Sequence, residues 1–210
     1  MKGAIKAIVF DIGGVLQINF SKRKNKDQTH VSGVHEIIAK KLGTSIDQYF
    51  DAIDSSYVKS MEGKISEKKL LETFSKNLKT PKEKIKKLYY FAYKKRFKLN
   101  KPLLRLALKL KEEGYKISIL SDQWHLSKKA HVPKKFYLYF KPLLLSCDVG
   151  FRKPNEEVYR LLLKKLKLLP KNILFIDNQI WNVLAAEEQG MNTILFKDNK
   201  DFFKKLKKFI

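Results

Sequence analysis

Five short, mostly apolar runs spaced along 210 residues leave few folds open to this chain. They are Ala4–Asp11, Tyr115–Asp122, Leu143–Asp148, Ile173–Asp177 and Thr193–Phe196, each β-branched or Leu-rich. Continuous runs of this kind suit strands of a parallel sheet that is covered on both faces. Helical patterns separate them. Lys101–Glu113 ends at Gly114, a helix-stop signal. Glu156–Leu168 follows Asn155, a good N-cap, and has Glu156 and Glu157 in its first turn, where the helix dipole favours acids. Ile180–Gln189 ends at Gly190, and Asp201–Ile210 reads as a short basic amphipathic helix. Strands alternating with helices predict an α/β fold with a doubly wound parallel sheet of about five strands.

One region breaks the alternation. Gln17–Phe97 holds helical patterns only, at Val34–Leu42, Ile46–Met61, Glu67–Leu78 and Pro81–Phe97. Thr80-Pro81-Lys82-Glu83 carries the N-cap, the N1 proline and the N3 acid of a capping box. The expected organisation is a catalytic core made of residues 1–16 and 98–210, with residues 17–97 inserted as an all-helical cap. The polar, aperiodic stretch Ser21–Gly33 reads as a hinge or loop.

Charge separates possible partners less sharply than its size suggests. The chain has 45 Lys+Arg against 21 Asp+Glu, a formal net charge of +24. That could mark a nucleic-acid binder. But 40 of the cations are lysines and only 5 are arginines, the side chain suited to bidentate phosphate and base recognition. The lysines are scattered beside Leu, Ile and Phe at helical spacing, as on solvated helix faces. Nucleic acid is therefore a possible partner that is not favoured, and anionic small molecules gain from the field in either case. No run approaches the ~18 apolar residues of a membrane span. The first ten residues lack a secretory cleavage site, and the single Cys147 excludes a disulfide framework or a Cys-rich zinc site. The expected setting is a reduced cytoplasm, and the oligomeric state is left open.

Ligands of an open parallel sheet bind outside the carboxyl ends of its strands. The first strand ends in Phe10-Asp11-Ile12-Gly13-Gly14, an acid followed by glycines that admit a ligand close to the backbone. The second ends in Ser121-Asp122, the third is followed by Gly150-Phe151-Arg152-Lys153-Pro154, and the fourth ends in Asp177-Asn178. Singly, each has a plain structural explanation as a cap, a turn or a surface lysine. Together, two acids, a hydroxyl and an ammonium at four strand ends are the parts needed to bind Mg²⁺ with a phosphate and to attack phosphorus.

On these residues the chain resembles the haloacid dehalogenase superfamily. FDIGGVL is similar to its first motif, LSD to the second, the Lys of GFRKP to the third, and FIDNQIWN followed by AAEEQGM to the fourth. The stretch LLLSCDVGFRKPNEEVYRLLL resembles the phosphatase-like branch, sugar-phosphatase-like members included. The resemblance implies a Rossmann-like core with a cap inserted after the first motif. It implies hydrolysis of a small phosphorylated metabolite with Asp11 as nucleophile, Ser121 and Lys153 on the phosphoryl group, and Asp122 beside them in the substrate site. Mg²⁺ would be held by Asp11, the Gly13 carbonyl, Asp177 and Asn178. Asn182 would tie down the following loop.

Two departures bear on rate and metal. Gly13 stands where relatives carry a second Asp for proton transfer, help that is worth ~10²–10⁴-fold. Asn178 stands where many have an acid. These residues and the charge motivate a rival, a weakened member that binds a polyanion such as RNA. A third possibility is carbon–halogen hydrolysis by the same Asp11. Among other residues, His125 could supply proton transfer but reads more simply as a first-turn histidine, and Asp122 as a cap for the next helix. His30, His35 and His131 lack partner acids at zinc-ligand spacing. Trp124 and Trp181 suit loop packing or stacking on a substrate ring, and Cys147 reads as a small buried strand residue.

Overall fold

The computed structural model describes residues 5–19 and 32–210. The chain is α/β, as its apolar runs require. Strand β1 (Ala7–Phe10) lies at the centre of a five-stranded parallel sheet. On one side of it come β4 (Lys116–Ser121) and β5 (Leu143–Leu145), and on the other β6 (Ile173–Asp177) and β7 (Asn192–Leu195). Ala7 pairs with Lys116 and Ile173, and Phe10 with Ile119 and Ile176, so the ends of β1, β4 and β6 open on the same rim.

Side chains of β1 alternate between two apolar layers, as a strand period of two demands. Ile8 and Phe10 pack with Leu103, Ala107 and Leu110 of α5 (Lys101–Glu112) and with Phe202 and Leu206 of α11 (Asn199–Leu206). Ala7 and Val9 face the other way, onto Val158 and Leu162 of α9 (Glu156–Leu166) and Ala186 of α10 (Ile180–Glu188). Every core position of β1 is thus covered, which explains why its sequence does not alternate.

Between β1 and α5 the chain forms a ribbon and a helical group. Strands β2 (Gln17–Asn19) and β3 (Phe97–Leu99) pair antiparallel, Gln17 with Leu99 and Asn19 with Phe97. This corrects the helix-only expectation for Gln17–Phe97; three-residue strands are too short to leave a periodic signal. Helices α1 (Ser32–Leu42), α2 (Ile46–Met61), α3 (Glu67–Asn77) and α4 (Lys82–Arg96) share a core of their own, which includes Ile38, Ile53, Phe74 and Tyr89 and reaches Trp124 and Leu126. Leu126 belongs to α6 (His125–His131), against which α4 packs. The proposed hinge Ser21–Gly33 lies outside the described residues up to Ser32, where α1 begins, and His30 lies there too.

Local signals were misplaced in three spots. Pro81, not Thr80, is the N-cap of α4 and makes no side-chain bond; the Thr80 hydroxyl donates instead to the Leu78 carbonyl. Working caps stand at Ser45, in a reciprocal box with Gln48, and at Ser66. The strand expected over Leu143–Asp148 stops at Leu145, and Ser146–Val149 turn as a short helix, α8, after the four-residue α7 (Phe136–Tyr139). Ser146 is drawn out of the strand by exchanging hydrogen bonds with the Gln123 backbone, and Gly150, at φ 84°, closes the turn. Cys147 is therefore half-buried on α8 rather than on a strand.

The helical core holds a titration hazard. His35 is fully buried, its Nδ1 hydrogen-bonded to the Tyr49 hydroxyl (2.8 Å), and Tyr49 is bonded in turn to Tyr89. Burial pushes the His35 imidazole down to about 4. Between the ordinary value near 6.5 and that point only the unfolded chain takes up the proton, so stability is complete above ~6.5 and drains away as pH falls. The expected loss by pH 4 is about 3 kcal/mol. Urea unfolding of wild type and His35→Phe from pH 7.5 downward should show this slope in wild type and its removal in the variant. Equal slopes would mean that His35 binds its proton equally well in the folded and the unfolded chain.

Candidate active site

Four loops converge at the carboxyl ends of β1, β4 and β6. Asp11 follows β1 directly, and its N–H donates to the Ile176 carbonyl (2.9 Å), which fixes it against β6. The chain then doubles back. Gln17 N–H donates to Ile12 O and Gly14 N–H to Gln17 O, with Gly14 at φ 82°, a conformation that favours glycine. Those bonds engage the peptides on either side of Gly13, which itself forms part of the cavity wall.

Lys153 is the hub. Its ammonium donates to Asp11 Oδ1 at 3.0 Å and to Asp177 Oδ2 at 2.5 Å, with all three side chains buried. Burial alone would push the Lys153 ammonium down, but the charges of Asp11, Asp177 and Asp122 outweigh it and hold it well above the usual lysine range. Asp177 is fixed on both oxygens: Gln179 N–H donates to Oδ1 (2.8 Å) and Asn182 Nδ2 to Oδ2 (3.1 Å). Burial raises the Asp177 carboxyl, with Lys153 opposing it. Asn182 therefore orients an acid, a more specific task than tying down a loop.

Asp122 does not cap the next helix. The N-cap of α6 is Trp124, whose N–H donates to Ser127 Oγ, while Asp122 Oδ1 accepts the Lys153 backbone N–H (3.1 Å). Burial pushes the Asp122 carboxyl up to about 6, against the pull of Lys153. Ser121 is buried, and its Oγ accepts from Gln123 Nε2 (3.1 Å).

A cavity of about 390 Å³ opens over these groups. Asp11, Gly13, Asp122 and Lys153 reach its wall, whereas Ser121, Asp177 and Asn178 do not. Sequence reasoning missed several wall residues. Arg152 was hidden as one more cation beside Lys153, and Tyr57 and Met61 of α2 carry no local signal at all. His131, read as isolated, is also in the wall, with its carbonyl held by the Gln17 amide. His125 is not: its Nδ1 is hydrogen-bonded to Ser60 Oγ (2.8 Å).

A family model described as haloacid dehalogenase-like hydrolase matches residues 5–190. The chain belongs to the haloacid dehalogenase-like hydrolases. Bifunctional epoxide hydrolase 2 of Sus scrofa is 32% identical over 116 residues, 53% of this chain and 21% of that protein. The chain thus spans about a fifth of the length of that relative. Glyceraldehyde 3-phosphate phosphatase of Methanothermobacter thermautotrophicus is 26% identical over 92 residues, 41% of this chain and 39% of that protein. Among solved structures, a haloacid dehalogenase family enzyme of Bacteroides thetaiotaomicron superposes with a TM-score of 0.77 at 22% identity, covering 97% of this chain and 98% of that one. The same enzyme has been crystallised with magnesium and inorganic phosphate (TM-score 0.74, 21% identity, 95% of this chain and 100% of that one). Among the described residues no helix of this hydrolase is long and apolar enough to cross a membrane.

The oxygen donors of this haloacid dehalogenase-like site suit a hard divalent cation. Two carboxylates already converge on one positively charged atom, and Gly13 stands in the cavity wall. Mg²⁺ is commonly held by one or two carboxylates together with waters and substrate phosphate, so Asp11, Asp177 and the Gly13 carbonyl fit it. Asn178 offers a neutral oxygen only, and the charge of the donor set rests on the two acids.

Proposed function

We propose that this chain hydrolyses small phosphomonoesters. The observation that carries the proposal is the buried Lys153 ammonium held between Asp11 and Asp177 on the rim of a ligand-sized cavity. Asp11 attacks phosphorus, forming its carboxyl O–P bond as the P–O bond to the alcohol breaks. Water then attacks phosphorus, and the aspartyl O–P bond breaks to release inorganic phosphate and restore the carboxylate. Lys153 balances the charge of the phosphoryl oxygens, while Ser121, set back from the cavity wall at the end of β4, supports the wall residue Gln123 by accepting from its Nε2. Mg²⁺, held by Asp11, Asp177 and the Gly13 carbonyl, supplies further charge stabilisation when bound. Asn182 and Gln179 keep Asp177 aimed.

The leaving alcohol needs a proton that Gly13 cannot give. Asp122 and His131 are titratable side chains of the cavity wall, and Asp122, raised to about 6, is protonated part of the time near neutral pH. A slow enzyme is the expected result, unless the alcohol leaves easily. Helices α1–α4 act as the cap. Tyr57, Met61 and Tyr93 from this group share one cavity wall with Asp11 and Lys153, so its position over the core excludes water and selects the organic part of the ester.

The test is phosphate release from p-nitrophenyl phosphate by wild type with Mg²⁺ and after EDTA treatment. Release that EDTA removes and Mg²⁺ restores is the expected result. Metal-independent halide release from a 2-haloacid, without phosphate release, would replace this reading with carbon–halogen hydrolysis. Neither activity in a protein with a salt-dependent affinity for RNA would favour the polyanion-binding alternative.

A further inference from the structure

The wall beyond Asp11 narrows the substrate class, on the condition that the phosphatase reading above holds. Two tryptophans follow the strands that carry the site, and their environments differ. Trp124 is consumed by packing. Its Nε1 donates to the Tyr93 hydroxyl (2.8 Å), and its ring meets Tyr57 edge-on (4.9 Å, 73°) and Tyr89 likewise (4.8 Å, 81°). Trp181, the second residue of α10, is 49% exposed and belongs to none of the three apolar cores, yet it forms part of the same cavity wall as Asp11. An indole left half in water forgoes the burial that makes tryptophan useful to a fold. What it offers instead is a flat face at the mouth of the site.

Other wall groups favour the same class of ligand. Tyr57, backed by Trp124 and by His35 (5.4 Å, 85°), brings a second ring from α2. Two amide donors of the wall are already engaged, Gln123 Nε2 on Ser121 and Asn182 Nδ2 on Asp177. A bare sugar, whose hydroxyls need paired donors and acceptors, finds those two amides taken, whereas a flat ring finds two aromatic surfaces. The volume of about 390 Å³ falls within the roughly 300–1,000 Å³ typical of small-molecule sites.

We infer that Trp181 is a stacking platform and that the substrate is a phosphomonoester whose alcohol carries a flat aromatic ring. Stacking of a base on one aromatic side chain, read by alanine substitution, is worth at least about fivefold in affinity and commonly tenfold or more. The phosphoryl chemistry at Asp11 is the same with or without the ring, so matched esters isolate its effect.

The experiment compares kcat/KM for adenosine 5′-monophosphate against ribose 5-phosphate, and for benzyl phosphate against ethyl phosphate, in wild type, Trp181→Ala and Trp181→Phe. In wild type at least one ring-bearing ester should be preferred by about tenfold or more. Trp181→Ala should bring that ratio near one, and Trp181→Phe, which keeps a flat face, should retain most of it. Ratios near one in wild type for both pairs, or an unchanged ratio in Trp181→Ala, overturn the inference and leave the phosphatase reading standing, since the esters are still cleaved. Cleavage of none of the four esters fails the phosphatase reading instead, and binding then decides the ring. Adenosine 5′-monophosphate that quenches tryptophan emission and binds about tenfold more tightly than ribose 5-phosphate supports it; equal affinities overturn it.

Discussion

Asp11→Asn is expected to abolish turnover, with a fall in kcat on the order of 10⁴-fold or more, the scale seen when a covalent nucleophile is removed. The reason is chemical rather than structural. An amide of nearly the same shape cannot form the aspartyl-phosphate, because its neutral oxygen is a poor nucleophile. The fold should survive the change, since the Asp11 backbone bond to Ile176 does not involve the side chain. It also removes one of two buried acids that share one lysine, so Lys153 stays paired through Asp177. The measurement is steady-state phosphate release by the folded variant, its secondary structure checked by circular dichroism, together with its affinity for inorganic phosphate. Phosphate binding retained without turnover places Asp11 at the bond-making step. Activity within tenfold of wild type would remove it from that role and move attention to Asp122, the other carboxyl in the cavity wall.

How much of this site could be read from the chain depends on the distance over which each residue is positioned. Asp11 and Asp177 are set by the strands they adjoin, and an apolar run ending in an acid is a local pattern; β6 begins and ends where the run Ile173–Asp177 does. Helix α2 likewise keeps the bounds of the pattern Ile46–Met61, its cap at Ser45 acting within one turn. What Asp122 does was not legible. Its partner is a backbone N–H 31 positions away, and only the packing of β4 beside β5 brings the two together. The ribbon of β2 and β3 failed for a different reason, as each strand is shorter than two full side-chain periods. Tyr57 and Met61 lie on the inner side of a helix whose pattern announces only that it is amphipathic, and Trp181 was ambiguous until its exposure was known. Motifs thus locate the chemistry, which sits on strand ends, while the surfaces that choose a substrate come from side chains that meet only in the folded chain.

The largest stability effect should come from Lys153→Met. In wild type the Lys153 ammonium lies between Asp11 and Asp177, with side-chain exposures of 2%, 8% and 0%. A methionine fills much of the same space but leaves two buried carboxylates facing each other with no cation. Breaking a buried pair by deleting one partner costs about 3–5 kcal/mol, mainly through the charge left uncompensated. Here two charges lose the same counterion, so the upper part of that range is expected in EDTA. The loss should be partly reversible by a ligand that binds only the folded state. If the two acids form a divalent site, Mg²⁺ restores some of the stability of the variant, and K⁺ at matched ionic strength does not. Urea unfolding of wild type and variant, in EDTA and with Mg²⁺, reads both effects at once. A destabilisation below about 1 kcal/mol would mean that solvent reaches the carboxylates and screens them, as for an exposed ion pair. A full loss that Mg²⁺ leaves untouched would keep Lys153 as the counterion of the acids and take the metal away from them.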